Sequence, residues 1–282
     1  MNKLLLASFA LAAMAAGSAM AAEMPLKAPP PAPSWTGFYF GGAIGARWDD
    51  VDGSVTAATN NGVNILCLPP PASTGPCTGT QLNSTAFRPS AYFGYNWQLS
   101  SLTLAGIEGD VGWAHNISTL GGAIYPGGNN PFYLTQRSDD YFTFKSSWDG
   151  ALRIRLGYLI NPSTLLFVAG GVEFMQISTQ SHCGQISDCT PGIFPLLYLP
   201  ADISHTRTMA GGTVGGGIER MLTPHLLLRA EYRFADFGSA SFTDTRVNPI
   251  GPPAGPITQV ATYKTDVITQ TALIGLAYKF DR

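Results

Sequence analysis

Charge is scarce in this chain. Asp, Glu, Lys and Arg make up 12% of its 282 residues, about half the share usual in soluble globular domains, which is too little for an ordinary water-facing surface. Neither sign dominates: 16 Lys and Arg stand against 18 Asp and Glu, a net charge of -2. That balance excludes the basic field of a nucleic-acid binder and the acidic excess of a disordered chain. Long apolar runs are missing too; no segment reaches the roughly 18 consecutive apolar residues of a membrane helix. Nor is there a phosphate loop, a dinucleotide fingerprint or a Gly-x-Ser-x-Gly elbow, and no cofactor or metal is expected. What the chain does have is 45% hydrophobic residues, 32 glycines and 11% aromatics.

The N-terminus reads as an export signal. Lys3 supplies the positive charge, Leu4 to Ala16 are apolar except for Ser8, and Ala19-Met20-Ala21 meets the small-x-small cleavage rule. Residues 1–21 are thus expected to be a signal peptide and 22–34, with Pro29-Pro30-Pro31-Ala32-Pro33, an extended periplasmic linker. Residues 35–282 remain for one domain.

From Trp35 onward the hydrophobic period is two. Phe87, Pro89, Ala91, Phe93, Tyr95, Trp97 and Leu99 share one face against Arg88, Ser90, Tyr92, Gly94, Asn96 and Gln98. Phe38, Phe40, Ile44 and Trp48 alternate likewise, as do Trp148, Leu152, Ile154, Leu156 and Tyr158 against Asp149, Arg153, Arg155 and Gly157. Further strands are expected over Thr103–Trp113, Leu165–Ile177, Thr206–Met221, Leu226–Phe237 and Thr262–Phe280, eight in all.

Alternation does not say which face is inside, since soluble sheets alternate as well. The connections decide. Ser100-Ser101, Asn161-Pro162-Ser163 and Thr223-Pro224-His225 are tight, whereas Asp49–Thr85, His115–Asp140, Gln180–His205 and Gly238–Ala261 each run to twenty residues or more. Short turns at one rim and long loops at the other mark an eight-stranded antiparallel transmembrane β-barrel with an outward apolar band. Closure satisfies the backbone polar groups that hydrocarbon cannot. Trp35, Phe38, Trp97, Trp113, Trp148, Tyr158, Tyr278 and Phe280 near the strand ends are expected to form interfacial girdles.

The inward face carries Arg47, Arg88, Glu108, Asp110, Arg153, Arg155, Glu173, Glu219, Arg229, Glu231 and Arg233. Eight strands leave an interior just wide enough for side chains, so these charges are expected to pair as a lumen plug; an open pore lined by them is the alternative. Cys67 with Cys77 and Cys183 with Cys189 lie within single loops. Three connectivities exist; the local one, with a bridge in each loop, is expected because short loops close readily and the exported compartment is oxidising. A zinc site at His182, Cys183, Asp188 and Cys189 is the sharper alternative, although its spacing matches no standard pattern. For catalysis, His115 and His205 are the only general-base candidates, beside Ser118, Ser204 or Thr206; His182 and His225 fall in a loop and a turn. A lipid A-modifying enzyme is therefore a further alternative, but no enzyme is expected.

Ser34-Trp35-Thr36-Gly37-Phe38-Tyr39-Phe40-Gly41-Gly42 after the Pro-rich segment, Gly106-Ile107-Glu108-Gly109-Asp110, Gly170-Gly171-Val172, Gly215-Gly216-Gly217-Ile218-Glu219 and Arg229-Ala230-Glu231-Tyr232-Arg233-Phe234-Ala235-Asp236-Phe237-Gly238 make the chain similar to the outer-membrane immunogenic protein family, the OmpA-like eight-stranded surface antigens of alphaproteobacteria. The resemblance implies a structural and antigenic protein of the Gram-negative outer membrane. It would contact outer-membrane lipids, the barrel-assembly machinery and host or environmental ligands through its loops. It also implies an assembly signal at the C-terminal aromatics, here Tyr278 and Phe280, although Asp281 and Arg282 follow them.

Overall fold

The computed structural model describes residues 34–64, 80–121, 141–183, 201–248 and 257–280. The signal peptide, most of the linker, Cys67, Cys77, Asp188, Cys189, Asp281 and Arg282 lie outside them, and of Cys183 only the backbone is described. The elements are β1 (Gly37–Asn60), β2 (Val63–Asn64), β3 (Thr80–Gln81), β4 (Ser84–Gln98), β5 (Thr103–Gly121), β6 (Tyr141–Asn161), β7 (Thr164–Cys183), β8 (Ala201–Thr223), β9 (Leu226–Asn248) and β10 (Ile257–Lys279). The two-residue β2 and β3 both pair with β1. The eight long strands form one antiparallel ring in chain order, closed by β10 against β1 from Tyr39↔Lys279 to Asn60↔Gln259. The three tight turns fall where expected. In each, a side-chain oxygen of Ser100, Asn161 or Thr223 accepts the backbone N–H groups that the turn leaves over.

The strands are longer than expected. A bilayer needs roughly 9–11 residues per strand, yet β1 has 24 and β8, β9 and β10 have 23 each. Much of what reads as loop in the sequence continues the strands beyond the apolar band. Along β6 to β10 the two faces then exchange character. In the turn-side half, Phe40, Phe93, Ile154, Leu276 and their neighbours are exposed while Arg47, Arg153 and Glu231 are buried. In the loop-side half, Thr206, Thr208, Ser241 and Thr243 face outward, while Phe142, Phe144, Met175, Ile177, Phe237, Phe242 and Tyr263 pack inside. The lower half is organised for lipid outside and the upper half for water outside.

Bulges accompany the exchange. Between Ser146 and Asp149 β6 gains a residue against β7, and at Gly238, where φ is +63°, β9 gains one against β10. Gly238 takes this left-handed conformation without the cost a side chain would add. Two ladders also stop early: β4–β5 reaches only Ser90↔Gly112 and β8–β9 only Gly212↔Asp236, although β5, β8 and β9 all continue. Above those points the ring is two facing sheets, β5–β8 and β9–β10–β1–β4, with the apolar cluster between them.

This arrangement sets a test. Phe144→Ala should cost about 3–5 kcal/mol through the cavity left in the upper interior, because Phe144 is wholly buried. Urea titration of the refolded protein measures it, and a change below about 1 kcal/mol would show that the upper half is not a packed core.

Candidate functional site: a filled barrel interior

Three layers of side chains fill the lumen. At the turn side Trp35, Leu104, Leu159, Leu165, Phe167 and Leu227 form an apolar stopper. Trp35 is wholly buried there; its Nε1 donates to the Pro162 carbonyl at 3.0 Å, and Gln98 Oε1 accepts its backbone N–H at 3.0 Å. The expectation that Trp35 belongs to an interfacial girdle is thus corrected. The chain enters beneath the barrel mouth, and the indole turns into the mouth instead of toward lipid. Phe38, Trp97, Trp113, Tyr158, Tyr278 and Phe280 do face outward, and Trp148 is half-buried.

The middle layer holds all eleven ionisable residues expected in the lumen, every one of them buried. Glu108 is its lower hub. Its Oε2 accepts from Tyr39 Oη at 2.6 Å and lies 2.6 Å from Arg229 Nη2 and 3.3 Å from Arg155 Nη1, while its Oε1 meets Arg153 Nη2 at 2.6 Å. Glu219 Oε2 bridges Arg155 at 3.1 Å and Arg229 at 2.8 Å. Arg153 also pairs with Glu231, and Arg233 contacts Glu231 at 3.3 Å, Asp110 at 3.0 Å and Glu173 at 3.6 Å. Arg88 joins Asp110, at 2.9 Å, to the upper group. The guanidinium planes also lie over rings: Arg229 4.3 Å from the Tyr92 centroid and Arg155 4.4 Å from Phe167.

Two carboxylates of this network escape the sequence reading. Asp149 accepts from Arg88 and, at 2.6 Å, from Arg47, and Asp49 lies 2.9 Å from Arg47 Nε, with Ser146 tying Asp49 to Arg47. Asp149 shares the inward parity of Arg153 and Arg155, so the signal was present. Asp49 was hidden because β1 was expected to end at Trp48. Six arginines then face seven carboxylates, a balance that lets planar guanidinium forks bridge two acids each and offset much of the desolvation cost of burial.

The catalytic alternative fares differently. His205 Nε2 lies 2.8 Å from Asp244 Oδ1, but Ser204 and Thr206, adjacent on the same strand, face the opposite side, and Thr206 donates to Ser178. His115 is exposed and Ser118 lies on the other face of β5. His182 Nδ1 is 2.7 Å from Asp202 and stacks on Tyr141, while His225 stacks on Tyr278 at the turn side. Neither His115 nor His205 is set beside a hydroxyl that the sequence offered it. The cysteine pairs and the zinc alternative involve residues outside those described.

A 31 kDa outer-membrane immunogenic protein of Brucella melitensis is 26% identical over 290 residues, which covers 99% of this chain and 100% of that protein. A 22 kDa outer membrane protein of Rhizobium leguminosarum is 26% identical over 222 residues, 79% of this chain and 72% of its own length. Among solved structures, the outer membrane protein OprG of Pseudomonas aeruginosa matches with a TM-score of 0.45 at 12% identity, covering 88% of this chain and 98% of that one. By its sequence relatives, the protein is a surface-antigen or structural barrel of the Gram-negative outer membrane. With the model of the outer membrane protein beta-barrel domain matching residues 9–280, the chain belongs to that family.

Proposed function

We propose that this barrel neither conducts nor catalyses, and that it serves to hold a rigid, water-facing β-structure and its loops above the outer membrane. The observation that carries the reading is the middle layer: each of its six arginines reaches a carboxylate on a strand that is not its ladder neighbour, above an indole stopper. In this reading the apolar band meets outer-membrane lipids, Tyr278 and Phe280 on its rim serve the barrel-assembly machinery, and the loop ends meet host or environmental ligands. Phe280 suits that role: its ring lies 5.0 Å from Tyr278 and 5.7 Å from Phe38, at the closure of β10 on β1.

Proteoliposomes carrying the protein should not swell in isotonic small sugars, and lipid A from cells with and without it should give the same mass spectrum. Swelling at the rate of a general porin would favour a narrow pore. An acyl chain gained or lost on lipid A would favour an enzyme.

A further inference from the structure

Above Gly212↔Asp236 β8 and β9 part, and among the described residues side-chain contacts link them there. His205 of β8 reaches Asp244 of β9 at 2.8 Å, and its ring lies 5.7 Å from Phe242. Ser181 of β7 donates to Asp244, and Arg246 of β9 donates to Ser181 at 2.9 Å. Directly behind this latch lies the apolar layer, to which Met175, Met209, Phe237 and Phe242 contribute. At the foot of the seam, a side chain added at Gly212 or Gly238 would meet nothing within 4 Å. The depth is set by the neighbours: Val214 and Phe234 just below are apolar and exposed, Thr208 and Ser239 just above polar and exposed.

From this juxtaposition we propose that the upper β8–β9 seam is a lateral doorway through which a single-chain amphiphile of the outer leaflet enters the apolar layer. Its chain would lie among the methionines and Phe237, and its polar head at the His205–Asp244 rim. Three physical features favour such an occupant. Opening the seam breaks no β8–β9 ladder among the described residues, so what it gives up there is side-chain hydrogen bonds such as His205–Asp244. The layer is packed, but unbranched methionines re-pack around an inserted chain more readily than branched residues do. The charged middle layer beneath would stop an apolar chain, so the site is a dead end for binding and not a conduit. The inference goes beyond the scaffold reading and does not depend on it.

The test uses full-length protein refolded into phospholipid vesicles containing a long-chain fatty acid with a diazirine at its terminal carbon. After irradiation, fragmentation that resolves single residues should place the label on Met209 and Phe237, and excess unlabelled fatty acid should displace it. Asp244→Ala and His205→Ala should raise interior labelling severalfold, and Met175→Ile combined with Met209→Ile should abolish it, because branched side chains cannot re-pack around the chain. Unheated gel mobility verifies that each variant is folded; if one is not, the wild-type map and its displacement decide. Label confined to lipid-facing positions such as Val214 and Phe234 in every form would overturn the doorway, as would interior label that unlabelled acid does not displace.

Discussion

Glu108→Ala should be among the most damaging single substitutions in the chain, costing about 3–5 kcal/mol, because it leaves buried guanidinium groups without their counter-charge. Glu108 stands within hydrogen-bonding or ion-pair distance of Arg153, Arg155, Arg229 and Tyr39, so three cations are affected at once. Tyr39 would also lose its acceptor. Water drawn in to solvate the arginines should loosen the middle layer, and the variant should unfold at a lower urea concentration than Glu173→Ala, whose residue has only a 3.6 Å approach to Arg233. Equal losses at Glu108 and Glu173 would show that the network has no hub.

The second large effect concerns the outside. Phe93 lies midway along the exposed apolar row of β4, and Phe93→Arg should cost about 2–4 kcal/mol if that row crosses the bilayer midplane. Ser241→Arg, outward on the upper half of β9, should stay within about 0.5 kcal/mol because that surface meets water. The contrast between two outward positions distinguishes a lipid-embedded lower half from a barrel exposed to one solvent throughout. Refolding into lipid vesicles at graded urea measures both, and similar costs at the two sites would contradict the exchange of faces.

The lower half was legible because one rule holds along it. Hydrocarbon outside and a side-chain-filled lumen make apolar and polar residues alternate without a break, so Phe87 to Leu99 and Leu152 to Tyr158 announce both their strands and their orientation. The upper half obeys the opposite rule. In β10 the outward positions run from Ile274 and Ala272 to Gln270, Asp266 and Lys264, and the inward ones from Thr271 and Thr269 to Val267 and Tyr263. No single face stays apolar through that change, and the bulges at Ser147–Trp148 and Gly238 shift the parity as well. The continuation therefore looks like loop. Inward charges were identifiable from parity, but their partners were not. That Arg153 meets Glu231 as well as its ladder partner Glu108 depends on the stagger between β6 and β9, which local pattern does not encode. Trp35 was misplaced for a similar reason, since an aromatic at a strand end suits a lipid interface or a lumen equally.

The claim on which the functional account rests is that the interior is closed. Purified protein in planar bilayers should show no large, long-lived conductance. Arg153→Ala combined with Arg155→Ala should produce small, noisy currents, because Glu108, Glu219 and Glu231 then lose guanidinium partners and draw in water. Steady, solute-permeable channels in the unmutated protein would contradict the account and establish a pore through the arginine layer.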